Sequence, residues 1–88
     1  MYYVYILKSK KDNSLYKGYT SLLIKRLEEH NNGKSIYTST KMPWILVYFE
    51  KFDTQKDAIA REKYLKSAAG RRFLKNVNLE QEVDLNTV

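Results

Sequence analysis

A chain of 88 residues without a single cysteine has one route to a stable fold: a single hydrophobic core, unassisted by disulfides or cysteine-bound zinc. A domain of this size folds alone with a net stability of about 5 kcal/mol, and it has no residues to spare for a second core. Its one histidine makes a zinc site built from imidazoles equally untenable. Apolar residues are 43% of the chain and charged residues 30%, a globular balance that predicts order nearly throughout. The lack of thiols fits a reducing, cytoplasmic setting.

Tyr3 to Leu7 are aromatic and β-branched, and the apolar stretch is too short for a membrane span or a signal segment, so they predict a strand. The polar cluster from Lys10 to Ser14 predicts a turn, and Leu15 to Tyr19 a second strand in an antiparallel hairpin. Strand alternation puts Tyr16 and Gly18 on one face, and Lys17 with Tyr19 on the other. Thr20 or Ser21 stands where it would cap a helix over 22–31, and Asn32-Gly33 would stop that helix. Residues 33–40 predict a polar loop. After Met42-Pro43, the unbroken apolar run from Trp44 to Phe49 predicts a third strand whose direction is open. Asp53 or Thr54 would start a second helix reaching Lys66 or Ala69, Gly70 would interrupt it, and 71–77 would form a third. The order ββαβαα defines an α/β (α+β) domain over residues 1–79, followed by a short acidic tail, 80–88.

Charge is distributed unevenly along this pattern. All sixteen Lys and Arg residues but only seven of the ten acids lie within 1–79, leaving that body nine positive charges in excess. Such an excess attracts polyanions, nucleic acid foremost.

Two helices carry ionisable groups where the core should be. On a wheel of about 100° per residue, Arg26 and His30 fall within the apolar arc centred on Leu23 and Leu27, one turn apart. Arg26 can lay its stem over the core, and His30 can be a hydrogen-bonded core histidine. On the second helix Glu62 falls within about 40° of Ala58, among the core-facing residues. A carboxylate there is costly unless it is ion-paired, protonated or metal-bound. One explanation is an internal ion pair with Arg26; the other is a site at which Arg26, His30 and Glu62 converge. Of the eight tyrosines, Tyr5 and Tyr16 are candidates for that cluster. Tyr2, Tyr3, Tyr37, Tyr48 and Tyr64 suit strand, surface or core, and several could equally be stacking platforms for bases.

Tyr3-Val4-Tyr5, then Tyr16-Lys17-Gly18 beginning eleven residues after Tyr5, then Leu23 to Arg26, His30-Asn31 and Ala60-Arg61-Glu62-Lys63 form an ordered set. The set resembles the GIY-YIG nuclease family over nearly all of residues 2–77. It is most similar to the small stand-alone bacterial members related to the catalytic domain of the excision-repair nuclease subunit. The resemblance implies a small three-stranded antiparallel sheet flanked by helices, and divalent-metal-dependent endonucleolytic hydrolysis of DNA. Glu62 corresponds to the family's metal carboxylate, Arg26 to its catalytic arginine, Tyr5 and Tyr16 to its paired tyrosines, and His30 to a histidine found in part of the family. One Mg²⁺ or Mn²⁺ ion on Glu62 would polarise the phosphate. Arg26 would hold phosphoryl charge, Tyr16 would help activate water and Tyr5 would orient phosphate or water. Two positions depart from the pattern: Tyr-Val-Tyr replaces Gly-Ile-Tyr, and Lys17 stands where the family carries an apolar or small neutral residue.

The expected partner is DNA, branched or damaged forms included, with RNA left open, no membrane, and a monomeric or weakly dimeric protein. Lys17, Arg71 and Arg72 are candidate phosphate contacts. The alternative to an enzyme is a non-catalytic nucleic-acid-binding module of the same fold. A third reading is a small interaction domain that uses the Trp44 to Phe49 strand.

Overall fold

The computed structural model describes all of residues 1–88. Strands β1 (Tyr2–Ser9) and β2 (Leu15–Thr20) form the expected antiparallel hairpin, with Tyr5 opposite Gly18 and Leu7 opposite Tyr16. Strand β3 (Trp44–Phe52) pairs antiparallel with the other edge of β1, so the sheet runs β2-β1-β3. Val4, Tyr5, Ile6 and Leu7 are buried in succession, as befits a central strand covered on both faces. The register of β1 against β3 shifts between Ile6, opposite Tyr48, and Leu7, opposite Leu46.

The helices are α1 (Leu23–Asn31), a short α2 (Ile36–Ser39), α3 (Gln55–Lys66) and α4 (Ala68–Leu74). They divide the core in two. On one face of the sheet Val4, Ile6 and Val47 pack with Ala58 and Leu65 of α3 and Leu74 of α4. On the other face Tyr5, Leu7, Trp44 and Leu46 pack with Leu23 and Leu27 of α1. The strand alternation follows: Tyr16 joins the α1 side, while Tyr19 packs on the α3 side. Trp44, Leu46 and Val47 are buried, so the apolar run of β3 serves the core and offers little apolar surface to a partner.

Several boundaries differ from the expectation. The residue before α1 is Leu22, without a side-chain cap, while Thr20 accepts the Leu22 amide at 3.1 Å. Leu22 and Ile24 are exposed, which leaves an arc narrower than the pattern suggested. The stop is as expected, because Gly33 adopts a φ of 75°, a left-handed conformation open to glycine.

The predicted loop 33–40 contains α2, whose four residues are held by tertiary contacts. The Trp44 indole N–H donates to the Thr38 carbonyl at 2.9 Å, and Asn31 pairs with both backbone groups of Trp44. The second helix starts at Thr54 as expected, with its hydroxyl accepting the Asp57 amide at 3.2 Å. It ends at Lys66, the first of the two ends expected, and extended Ser67 then caps α4 by accepting the Gly70 amide at 3.2 Å, so α4 begins at Ala68 and not at Arg71. Gly70 lies inside α4, where a Cβ would come within 2.0 Å of the Tyr64 carbonyl oxygen. Its bareness serves the close approach of two helices. The acidic tail is tied back to the sheet: the Val83 amide donates to the Leu46 carbonyl at 2.8 Å and Glu80 pairs with Lys8 at 2.6 Å.

Candidate active site

Tyr5 is the inward anchor of the site, with its ring 2% exposed on the α1 side of the central strand. Gly18 is its cross-strand partner, and a Cβ there would stand 2.7 Å from the Tyr5 hydroxyl. Any side chain at this position must displace a buried ring. The Tyr5 hydroxyl meets His30 Nε2 at 3.1 Å, and His30 Nδ1 meets the Thr38 hydroxyl at 2.8 Å. A neutral imidazole donates from one nitrogen and accepts at the other, and the two hydroxyls take the complementary roles. Tyr5, His30 and Thr38 therefore form a continuous buried chain from β1 through α1 to α2.

Electrostatics fix the protonation along this chain. Burial pushes the Tyr5 phenol up to about 12; nearby Arg26 opposes the rise, while Tyr16 and the charge of Glu62 add to it. Burial, followed by the positive charge of Arg26, lowers the pKa of His30, against a smaller pull from Glu29. Tyr5 and His30 are thus neutral near pH 7. Partial burial pulls Arg26 downward, but Tyr5, Glu29 and Tyr16 outweigh it and leave its pKa above the ordinary value. Arg26 stays protonated.

Tyr16 is half-buried above this chain, with its ring centroid 4.9 Å from that of His30 and 5.9 Å from that of Tyr37. Arg26 bonds Glu29 on its own helix at 3.2 Å. Glu62 lies on the same arc of α3 as buried Ala58 and Leu65, and only 17% of its side chain is exposed. Its ionic partner is Lys66 one turn on, at 3.4 Å. The Arg26–Glu62 ion pair entertained from sequence does not form. The neighbouring Arg61 holds Glu50 through two bonds at 2.9 and 3.1 Å, while Tyr48 also bonds Glu50. Of the Ala60 to Lys63 segment, Arg61 is thus engaged with Glu50, while Glu62 pairs with Lys66 and its charge reaches Tyr5.

Of the five predicted residues, Tyr5, Tyr16, Arg26 and His30 are neighbours in space, and Glu62 stands near enough for its charge to raise the pKa of Tyr5. Lys17 projects to the other side of β2, donates to the Leu65 carbonyl at 3.1 Å and joins Lys66 and Arg71 around a cavity of about 420 Å³. Arg72 is exposed and does not line that cavity. Sequence reasoning missed Thr38, Lys66 and the part played by Tyr37. Thr38 lies in a helix too short for periodicity to signal, whereas Lys66 was readable as the residue one turn beyond Glu62.

As a metal site the cluster offers little: no group of three or more His, Asp or Glu side chains gathers anywhere to hold an ion. Glu62 is half-buried, and a single carboxylate suits an ion shared with substrate oxygens and water. No helix of the chain is long and apolar enough to cross a membrane.

A three-stranded antiparallel sheet carrying paired tyrosines, with an arginine on α1 and a glutamate on α3, is an arrangement that the GIY-YIG signatures predict. Residues 1–76 match the model of the GIY-YIG catalytic domain, and the chain belongs to that family. More particularly, it is 43% identical to a UPF0213 protein of Clostridium perfringens, over 97% of this chain and all of that one. It is 44% identical to a UPF0213 protein of Staphylococcus haemolyticus, over 86% of this chain and 93% of the relative. The solution NMR structure of a UPF0213 protein from Bacillus halodurans has the same fold, with a TM-score of 0.54, 33% identity, and coverage of 91% of this chain and 88% of that one. None of these names speaks of excision repair, so the kinship established is with the GIY-YIG family and the small UPF0213 proteins. The fold is consistent with interaction with nucleic acid.

Proposed function

We propose that this chain is an endonuclease that uses Tyr16, Arg26 and Glu62 to bind a nucleic-acid strand and hydrolyse a phosphodiester bond with a divalent ion. One observation carries the reading: Glu62 is largely removed from solvent, its charge reaches Tyr5, and its only ionic partner is half-exposed Lys66 and not Arg26. A carboxylate in that position gains nothing from phosphate binding alone and is costly to bury.

Mg²⁺ or Mn²⁺ would be held by Glu62 with phosphate oxygens and water; when bound, such an ion polarises the phosphate and stabilises the leaving oxygen. The remaining work falls to side chains. Arg26, always protonated, holds charge on the phosphoryl oxygens. Tyr16, the less buried of the paired phenols, faces an attacking water and takes part in moving its proton. Tyr5 keeps its own proton, so it acts as a hydrogen-bonding group that orients. His30 has no exposed surface and both its nitrogens are engaged. It is a positioning residue that holds Tyr5.

The resemblance to the excision-repair catalytic domain extends the proposal to DNA in a cytoplasmic setting, with branched or damaged strands among the substrates. A second reading is a module of the same fold that binds nucleic acid without cutting it, favoured by the lack of a multi-residue metal cluster. A panel of nicked, branched, single-stranded and duplex DNA, with an RNA strand alongside, tests the choice in Mg²⁺ or Mn²⁺ and in chelator. Cleavage that the chelator stops is the expected result. Binding without cleavage of any member would leave the second reading.

A further inference from the structure

Beside the tyrosine cluster lies the cavity lined by Leu15, Tyr16, Lys17, Tyr37, Lys66 and Arg71. Its three cations are poorly neutralised. Lys17 donates to the Leu65 carbonyl at 3.1 Å and Arg71 to the Lys66 carbonyl at 2.7 Å, so backbone oxygens and not carboxylates anchor both. Only Lys66 has an acidic partner, Glu62 at 3.4 Å. Partial burial, and then the charges of Arg71 and Lys66, pull the pKa of Lys17 below its ordinary value. Three like charges gathered with one carboxylate partner among them favour an anion between them.

The opposite wall is aromatic. Tyr37 is 67% exposed on the four-residue α2, beside Ile36 at 92% exposed, and its ring stands 5.9 Å from that of Tyr16. Cations that track phosphate next to an exposed ring that can take a base is the chemistry of a single-stranded nucleotide site. A paired base inside a duplex has no free face to lay on Tyr37.

We propose that this cavity is a subsite for an unpaired nucleotide next to the phosphate that is attacked, with its phosphate on Lys17, Lys66 and Arg71 and its base stacked on Tyr37. The inference rests on the proposed function and adds the substrate class: nucleic acid with a single-stranded segment at the point of attack. Lys17, the departure from the family signature, acquires a role as a phosphate contact.

The test measures binding of the full chain in chelator, where nothing is cut, by fluorescence anisotropy with a short labelled thymidine strand and with a short labelled duplex. Tighter binding of the strand is expected. Tyr37→Ala should weaken strand binding roughly tenfold and leave the duplex unaffected, with Tyr37→Trp restoring the strand. Because Tyr37 is exposed, circular dichroism should find both variants folded. Equal loss on strand and duplex, or no loss on the strand, would overturn the inference. The proposed function stands or falls separately. Cleavage of single-stranded and duplex DNA at undiminished rates by Tyr37→Ala overturns the subsite alone, whereas failure of the parent to bind or cut any nucleic acid overturns both.

Discussion

His30 has no exposed surface, and its neighbours in the folded chain are Tyr5, Tyr16, Thr38, Arg26 and Glu29. Its pKa is lowered from 6.5, so as pH falls the unfolded chain takes up a proton before the folded one does. The stability that neutral His30 contributes is whole above about pH 6.5 and declines as pH falls through the folded value. The melting temperature should therefore drop between about pH 7.5 and pH 5, and His30→Gln should flatten that dependence whatever its starting stability. A parent curve that is level over this range, or the same slope in the variant, would contradict the neutral buried role. This residue was legible from sequence, as were Arg26 and Glu62, because an ionisable group within an apolar helical arc stands out against the helical period. Thr38, which holds the far side of His30, was not. Nothing in residues 33–40 distinguishes one buried threonine from a polar loop, and only the Trp44 indole bonded to its carbonyl fixes it.

The junction between α3 and α4 shows what a local pattern can and cannot convey. Glycine inside a periodic segment usually suggests an end, yet Gly70 is within α4 and the break lies at Ser67. The signal was present in Ser67, a good capping residue whose hydroxyl accepts from Gly70 and donates to the Tyr64 carbonyl at 2.6 Å. Gly70 has a steric role, since a Cβ would come 2.5 Å from Leu65 Cα as well as against the Tyr64 carbonyl. These are backbone atoms that cannot swing aside. Gly70→Ala should accordingly destabilise the domain by about 3 kcal/mol or more, although alanine is the better helix former. Urea unfolding measures this directly, and a variant as stable as the parent would show that the two helices can move apart. The strands themselves and their antiparallel hairpin were easier to read, because aromatic and β-branched runs flank a polar turn cluster.

At the scale of the whole molecule, charge and core are separable. The two halves of the core hold the sheet between its helices, and the nine excess positive charges of residues 1–79 lie over that frame. Lys17, Lys66 and Arg71 concentrate part of this charge around one cavity. Nucleic-acid binding should weaken steeply as salt rises, because each neutralised phosphate releases counterions. Replacing Arg71 and Arg72 by Ala should lower that slope, with Arg71 the larger contributor because it alone of the pair lines the cavity. Affinity that stays flat from low to moderate salt would mean that phosphate contacts do not hold the complex. Net charge was readable at once in the sequence. Its convergence on one cavity was not, since Lys17 comes from β2, Lys66 from α3 and Arg71 from α4.

On the proposed function, Glu62 is kept largely out of solvent for chemistry and not for the fold. Arg26 is paired with Glu29, so Glu62→Gln strands no buried cation and removes only the pair with half-exposed Lys66. That pair contributes under about 1 kcal/mol. The decisive measurement is the cleavage rate of Glu62→Gln in Mg²⁺ on the DNA that the parent cuts best, with thermal unfolding and DNA binding recorded on the same preparation. The variant should melt within a few degrees of the parent, bind the DNA and no longer cut it. A folded variant that cuts as fast as the parent would contradict the claim, and one that loses cleavage only by unfolding would return Glu62 to a structural role.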